Sequence, residues 1–152
     1  MVQVAIALGS NLGDRRAALE SAAASLSTRL HLLTVSEFVE TEPEGVAPQP
    51  AFLNAAAVGG WSADARSLLD LLQAIEQAAG RERPYPGAPR TLDLDLILFG
   101  PAIIDEPGLI VPHPRFRERR FVLGPLCRVA PDLTDPVTGL TVAELRRSLE
   151  EH

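Results

Sequence analysis

Lysine is absent from this chain of 152 residues, in which all 14 basic side chains are arginine. This absence excludes a phosphate-binding loop that ends in Gly-Lys-Ser/Thr, and it excludes Schiff-base and pyridoxal chemistry. The single cysteine, Cys127, excludes an internal disulfide, which agrees with a reducing compartment. No apolar run is long enough for a membrane span, and the first strand starts directly after Met1 without a leader. We therefore expect a cytoplasmic protein with no membrane partner.

The charge of the chain is unevenly distributed. Its formal net charge is −6, from 14 basic and 20 acidic residues, which favours no nucleic-acid partner. Residues 81–120 contain seven arginines and six acids, so this segment is +1 and the remainder is −7. Clustered arginines suit a metal-bound polyphosphate, because the guanidinium offers a fork of donors to phosphate oxygens. A solvated basic face is the alternative.

Hydrophobic periodicity predicts the order strand, helix, strand, strand, helix, strand in a single domain over residues 1–152. Strands are predicted at residues 2–8, 33–40, 51–61 and 92–99, with a tight turn at 9–13. Asp14 and Asp64 are the expected N-caps of the two long helices, of which the first carries an apolar stripe that includes Leu30. A hairpin within residues 103–111, a helix over 121–129 with Pro125 near its start, and a last helix opened by a capping box at 141–144 follow.

This order is that of the ferredoxin-like βαββαβ sandwich, an α+β fold. We expect an antiparallel sheet with both long helices on one face, plus a C-terminal hairpin and short helices. The opposite face of the sheet is expected to be open.

Two carboxylates interrupt the strand predicted at 92–99. Because side chains alternate along a strand, Asp93 and Asp95 should point to the same face as Ile97 and Phe99. Their backbones then lie about 6 to 7 Å apart, a spacing from which two hard cations could be bridged. An ordinary solvated strand face remains the alternative for an isolated pair of this kind.

Three further features have both a functional and a structural interpretation. Phe52 and Asn54 share a strand face and could stack on and hydrogen-bond to a flat heterocycle, or be a core phenylalanine beside a strand-end amide. Glu76 lies beside the buried stripe of the second helix, so it should either pair with an arginine or face a cleft. The proline-rich segment 81–89 is either a lid over an anionic ligand or a surface linker.

Several motifs in one order resemble a known family. They are GSNL (9–12), Thr41 and Gly45, FLNA (52–55), Gln73 and Glu76 before GR (80–81), PRTLDLD (89–95), VPHPR (111–115) and RRFVL (119–123). This arrangement, which runs from about residue 2 to 132, resembles the 6-hydroxymethyl-7,8-dihydropterin pyrophosphokinases of folate biosynthesis. The RTLDLD and PHPR segments together are highly specific, whereas either alone would be much weaker.

The resemblance implies transfer of the β,γ-pyrophosphoryl group of ATP, the co-substrate, to the hydroxymethyl oxygen of 6-hydroxymethyl-7,8-dihydropterin, with release of AMP. It implies that Asp93 and Asp95 bind two Mg²⁺ ions and that Arg81 and Arg90 act with them in catalysis. The pterin site would comprise Phe52, Phe121, Asn54 and the loop with Thr41, Glu42 and Glu44. The nucleotide site would comprise Gln73, Glu76, Arg83, His113 and Arg119. No residue stands out as a general base, and a monomer is expected.

The sequence departs from the family's pattern in the segment before the carboxylate strand. Many relatives carry Arg-Trp-Gly there, whereas this chain has PYPGA at 84–88 in a slightly shorter loop, with Tyr85 as the aromatic candidate. The hairpin around Gly108 also supplies no arginine for ATP. Two other functions fit the residues alone, namely a non-catalytic regulatory domain that binds a nucleotide or metal, and a magnesium-dependent phosphodiesterase.

Overall fold

The computed structural model describes residues 1–41, 50–80 and 91–151. The strands are β1 (Val2–Ser10), β2 (His31–Val35), β3 (Val39–Thr41), β4 (Phe52–Trp61), β5 (Asp93–Phe99), β6 (Ile104–Glu106) and β7 (Leu109–Val111). The α-helices are α1 (Arg15–Ser27), α2 (Ala65–Ala78), α3 (Arg120–Val129) and α4 (Val142–Glu150), and a 3-10 turn spans Phe116–Glu118.

The centre of the fold is one antiparallel sheet with strands in the order β2-β4-β1-β5, and β3 also pairs with β4. The strands β6 and β7 form the predicted hairpin. This confirms the predicted α+β class with its βαββαβ order and C-terminal additions. Among the described residues, no helix has the length and apolar character needed to cross a membrane.

The helices α1 and α2 start where their caps predict. The Asp14 carboxylate accepts from the amide of Ala17 at 3.1 Å, and that of Asp64 accepts from Ser67 at 2.9 Å. Each bond satisfies an amide that a helix start leaves without an intrahelical partner. Leu30 is buried but lies beyond α1, which ends at Ser27, so its assignment to the helical stripe was wrong.

The segment predicted as one strand over 33–40 is two strands. The side-chain oxygen of Ser36 accepts from the amide of Ala56 at 2.9 Å, while the Ser36 amide donates to the Ala56 carbonyl at 2.8 Å. A hydroxyl thus replaces a backbone carbonyl in the ladder, which separates β2 from β3. The strand β1 in turn continues to Ser10, so Gly9 and Ser10 belong to the sheet and not to a turn.

A bulge in β5 changes its side-chain alternation. Ala5 pairs with Leu98 and Ile6 pairs with Leu96, so Ile97 is the extra residue of a β-bulge. Ile97 faces the same side as the two aspartates, as predicted, but Leu98 packs with it and Phe99 packs on the opposite side. The predicted faces of Leu98 and Phe99 were therefore wrong. Asp93 and Asp95 precede the bulge, so the alternation predicted for them is unaffected.

The sheet is covered on both faces. One core cluster joins Val4, Ile6 and Leu8 of β1 to α1 and α2. A second cluster on the other face joins Ala5, Val58 and Ile97 to α3 and α4. The second face of the sheet was expected to be open. This was wrong around Ala5, Val58 and Ile97, because α3 and α4 bury their apolar sides against these residues. The helix α3 also contains Pro125 as its sixth residue and not near its start.

A buried ion pair ties the 3-10 turn to the loop before α4. The Arg117 guanidinium donates to both carboxylate oxygens of Asp135, at 2.5 and 2.9 Å, and Asp135 is fully buried. Thr138 donates its hydroxyl at 2.7 Å and Val137 its amide at 3.0 Å. Burial alone would raise the pKa of Asp135, but the hydrogen bonds from Arg117, Thr138 and Val137 outweigh it and hold the pKa at about 2.

This ion pair should make the stability of the protein depend on pH. Because the pKa of Asp135 is depressed in the folded state, its contribution is complete above about pH 5 and is lost as the pH falls toward 2. The difference from the ordinary value of 3.8 corresponds to about 2 kcal/mol. Asp135→Asn should lower the free energy of unfolding at pH 7 by at least this amount and weaken its decline in acid, as measured by urea titrations.

Glu106→Gln provides the matched control, because it neutralises a carboxylate in an exposed ion pair with Arg66, 3.3 Å long. Exposed pairs of this kind contribute little to stability, so its effect should be much smaller. Equal losses in the two variants, or an unchanged acid dependence in Asp135→Asn, would contradict the assignment.

Candidate active site

Three neighbouring strands bring one row of residues together where β1 ends. Gly9 of β1 pairs with Asn54 of β4 on one side and with Asp93 of β5 on the other. Directly paired residues of antiparallel strands point to the same face, so Asn54 and Asp93 share a face with Gly9 between them. Two strand spacings place their backbones about 10 Å apart. In the next row Ala7 lies between Ala56 and Asp95.

Gly9 makes room for two of the predicted substrate-binding side chains. A Cβ at this position would lie 3.3 Å from Asn54 Oδ1 and 3.6 Å from Phe52 Cδ1. Phe52 and Asn54 therefore face the same side over β1, as their alternation predicted. The close approach of Gly9 to these two side chains was missed, although the GSNL motif that contains it was visible in the sequence.

The amide of Asn54 has a defined orientation. Asn54 is 4% exposed, and its Nδ2 donates to the hydroxyl of Thr41 at 2.6 Å. Thr41 is the last residue of β3 and pairs with Phe52 in β4. This bond turns Asn54 Oδ1 toward Gly9, where it can accept from a flat polar ligand.

The start of β4 is anchored by one residue from the turn after β1 and one from the start of α1. The buried Asn11 donates its Nδ2 to the carbonyl of Pro50 at 3.3 Å, and Arg15 donates to the carbonyl of Ala51 at 2.8 Å. The sequence assigned no such role to Asn11 or Arg15, because their partners lie 36 or more residues away.

Asp93 and Asp95 lie half-buried on β5, on the face that Asn54 shares. Their neighbours Leu92, Leu94 and Leu96 are buried on the opposite face against the long helices. The two carboxylates thus stand beside the small residues Gly9 and Ala7 of β1. Among the described residues, no group of three or more His, Cys, Asp or Glu side chains is arranged to hold a metal ion.

Glu76 contacts the backbone of the carboxylate strand. It is 3% exposed on α2, and its Oε2 accepts from the amide of Leu94 at 2.8 Å. Leu94 lies between the two aspartates. Gln73, one turn earlier on the same helix, is exposed.

His113 lies near both Asp93 and Arg119. The His113 amide donates to the Ile97 carbonyl of β5 at 2.9 Å, and His113 Nδ1 accepts from the amide of Arg115 at 3.2 Å. Burial lowers the pKa of His113, the charges of Arg119 and then Arg115 lower it further, and the charge of Asp93 opposes them. The Arg119 guanidinium carbon lies 5.5 Å from the centre of the Phe121 ring.

The structure therefore brings several predicted residues to one end of the sheet. Thr41, Phe52 and Asn54 form one group on β3 and β4, and His113 lies near Asp93 and Arg119. Five predicted site residues lie outside the described part of the chain, namely Glu42, Glu44, Arg81, Arg83 and Arg90. Tyr85 and the whole candidate lid also lie there.

The profile of the 7,8-dihydro-6-hydroxymethylpterin-pyrophosphokinase family (HPPK) matches residues 5–131. The chain belongs to this family. It is therefore an enzyme that transfers pyrophosphate from ATP to hydroxymethyldihydropterin in folate synthesis, as the motifs predicted.

Individual relatives agree with this assignment. The chain is 43% identical over 139 residues to a 2-amino-4-hydroxy-6-hydroxymethyldihydropteridine pyrophosphokinase of Pseudomonas aeruginosa, covering 90% of this chain and 86% of that protein. It is 43% identical over 136 residues to the enzyme of the same name from Bacillus subtilis, covering 88% and 81%.

Two further relatives are longer than this chain. Folic acid synthesis protein fol1 of Pneumocystis carinii is 40% identical over 150 residues, which cover 98% of this chain and 20% of that protein. The crystal structure of wild-type Plasmodium falciparum HPPK-DHPS superposes with a TM-score of 0.75 at 16% identity, covering 97% of this chain and 44% of that one. The second likeness shows the fold alone.

The bond between Asn54 and Thr41 should matter for pterin binding in this pyrophosphokinase. Thr41→Val keeps the shape of the side chain but removes the acceptor, so a buried amide group loses its partner at a cost of about 1–3 kcal/mol. We expect the KM for the pterin to rise about 5- to 100-fold, with the KM for ATP nearly unchanged. Thr41→Ser retains the hydroxyl and should behave like the wild type. Equal kinetics in the Val and Ser variants would contradict this orienting role.

The electrostatic surroundings of His113 can be tested by NMR in the metal-free protein. Its pKa should lie below the ordinary value of 6.5. Removing a neighbouring cation by Arg119→Gln should raise this pKa, and removing the anion by Asp93→Asn should lower it further. Titration of the ring protons gives both values. If neither substitution moves the titration, the three side chains do not form one group.

Proposed function

We propose that Asp93 and Asp95 are the metal ligands of the pyrophosphoryl transfer and bind two Mg²⁺ ions together with ATP. Supporting this is the placement of both carboxylates on one face of β5, across the Gly9 row from Asn54. Two carboxylates are few ligands for a metal site made of protein alone. They fit Mg²⁺, which commonly takes one or two carboxylates and completes its shell with water and substrate phosphates.

The remaining residues bind and orient the two substrates. Phe52 and Phe121 stack on the pterin ring, while Asn54 and the segment with Thr41, Glu42 and Glu44 bind its polar edge. Arg81, Arg83, Arg90 and Arg119 bind phosphate oxygens, and Gln73, Glu76 and His113 belong to the nucleotide side. Magnesium, when bound, neutralises charge on the transferred group and aligns the attacking hydroxyl.

Positioning and electrostatics then supply most of the rate enhancement. The two substrates are bound on the two strands that flank β1, the pterin at β4 and the phosphates at β5. Gly9 and Ala7 of β1 have no side chain large enough to separate them. The hydroxymethyl oxygen and the β-phosphate can thus approach each other, while arginines bind the triphosphate.

We further propose that the chain acts as a monomer and as a single domain in the cytoplasm. Every residue assigned to the reaction belongs to one chain, so no partner subunit is needed to complete the site. Its one cysteine suits a reducing compartment.

The metal role is tested by removing each carboxylate. Asp93→Ala and Asp95→Ala should each reduce AMP formation at least about 10²-fold, because each removes charge stabilisation of the transferred group. Both variants should fold, since the side chains are half-exposed. The assay measures AMP in the presence of ATP, Mg²⁺ and reduced hydroxymethylpterin, and each component should be required.

Asp105→Ala is the matched control, because Asp105 is an exposed aspartate on β6. It should leave turnover unchanged. Near-normal turnover in Asp95→Ala with an intact far-UV spectrum would refute the ligand role. Tight ATP binding without AMP would favour a regulatory domain, and phosphodiester cleavage without the pterin would favour a hydrolase.

A further inference from the structure

Glu76 is a buried acid that is assigned above to the nucleotide side without a stated contact. It and Asp135 are the two buried carboxylates among the described residues. Taking a charged carboxylate out of water is costly unless hydrogen bonds compensate. Glu76 is only 3% exposed, so its carboxylate needs a specific hydrogen-bond donor.

The partner that the structure shows is the backbone of the carboxylate strand. The amide of Leu94 donates to Glu76 Oε2 at 2.8 Å, and both groups are buried. The strand β5 lies at the end of the sheet order β2-β4-β1-β5, so it has no strand neighbour on its outer side within the described residues. Glu76 thus supplies from α2 the acceptor that a neighbouring strand would otherwise provide.

The position of this bond along β5 is the important fact. Leu94 lies between Asp93 and Asp95, whose backbones face Gly9 and Ala7 of β1. On one edge of β5, the pairing with β1 fixes the backbone at both aspartates. On the other side the Glu76 bond fixes the amide between them. The peptide groups that carry the two carboxylates are therefore bound from both edges.

We propose that Glu76 is a positioning residue that holds Asp93 and Asp95 at the spacing needed to bind the two metal ions with ATP. It acts through the Leu94 amide, so its place on the nucleotide side is indirect and needs no contact with the nucleotide. This inference rests on the proposed metal role of the two aspartates. A charged acceptor suits the task, because hydrogen bonds to a carboxylate are stronger than those to a neutral oxygen.

Two variants of Glu76 separate its hydrogen bond from its volume. Glu76→Leu fills similar space without an acceptor, whereas Glu76→Gln keeps a neutral acceptor. Asp70→Asn is the control, because it removes the same charge from an exposed position on α2. Amide hydrogen exchange by NMR reports the Leu94 bond directly. Paramagnetic resonance reports binding of Mn²⁺ in the presence of a nonhydrolysable ATP analogue.

In Glu76→Leu we expect exchange at Leu94 to accelerate and the dissociation constant for Mn²⁺ to rise about 10- to 100-fold, as is typical when a group that orients a metal ligand is lost. The kcat should fall by a similar factor while the KM for the pterin stays unchanged. Glu76→Gln should recover most of the Mn²⁺ affinity. Asp70→Asn should match the wild type in every measurement.

Two results would overturn the positioning role alone. A raised KM for ATP with unchanged Mn²⁺ affinity would make Glu76 a direct nucleotide contact. A lowered melting temperature with unchanged Mn²⁺ affinity and kcat at low temperature would make it merely structural. Equal Mn²⁺ binding by the wild type and Asp95→Ala would instead overturn the metal role of the aspartates, whatever the exchange at Leu94 shows.

Discussion

The register of β1 between β4 and β5 is the constraint on which the site depends. Because Gly9 pairs with both Asn54 and Asp93, an amide and a carboxylate from distant parts of the chain share one face of the sheet. A slip of one residue on either side would turn one of them toward the long helices. The apolar side chains of Leu8, Leu53 and Leu94 oppose such a slip, since they are buried on the helix side. The core therefore determines the register, and the register determines the site.

The second layer of helices limits the site to one end of the sheet. The helices α3 and α4 cover the face beside Ala5, Val58 and Ile97, and Ala7 packs against the same cluster, but the row of Gly9 lies farther along the strands. Arg119 directly precedes α3, and its guanidinium lies over the ring of Phe121 at the start of that helix. The Arg117–Asp135 ion pair anchors the 3-10 turn that precedes α3 to the loop before α4. Burial and catalysis thus use the same face at different positions along the strands.

Much of this arrangement was predictable from the sequence. The strand alternation placed Phe52 with Asn54 and Asp93 with Asp95, and the caps at Asp14 and Asp64 marked the helix starts, because these features depend on neighbouring residues alone. The bulge at Ile97 and the break at Ser36 were not predictable, since each depends on a partner in another strand. The contacts of Gly9 with Asn54 and of Glu76 with the Leu94 amide were not predicted either, because each depends on a residue distant in the sequence. The roles of Arg81, Arg83 and Arg90, in contrast, stay predictions from family resemblance.

The central claim is that the two carboxylates of β5 bind metal ions next to the pterin in one ternary complex. Crystals grown with Mn²⁺, a nonhydrolysable ATP analogue and the reduced pterin would show the ions directly through their anomalous scattering. We predict two peaks, each about 2.0–2.3 Å from a carboxylate oxygen of Asp93 or Asp95, with the pterin ring against Phe52. Peaks that contact neither aspartate, in crystals where the ATP analogue is ordered, would contradict the account.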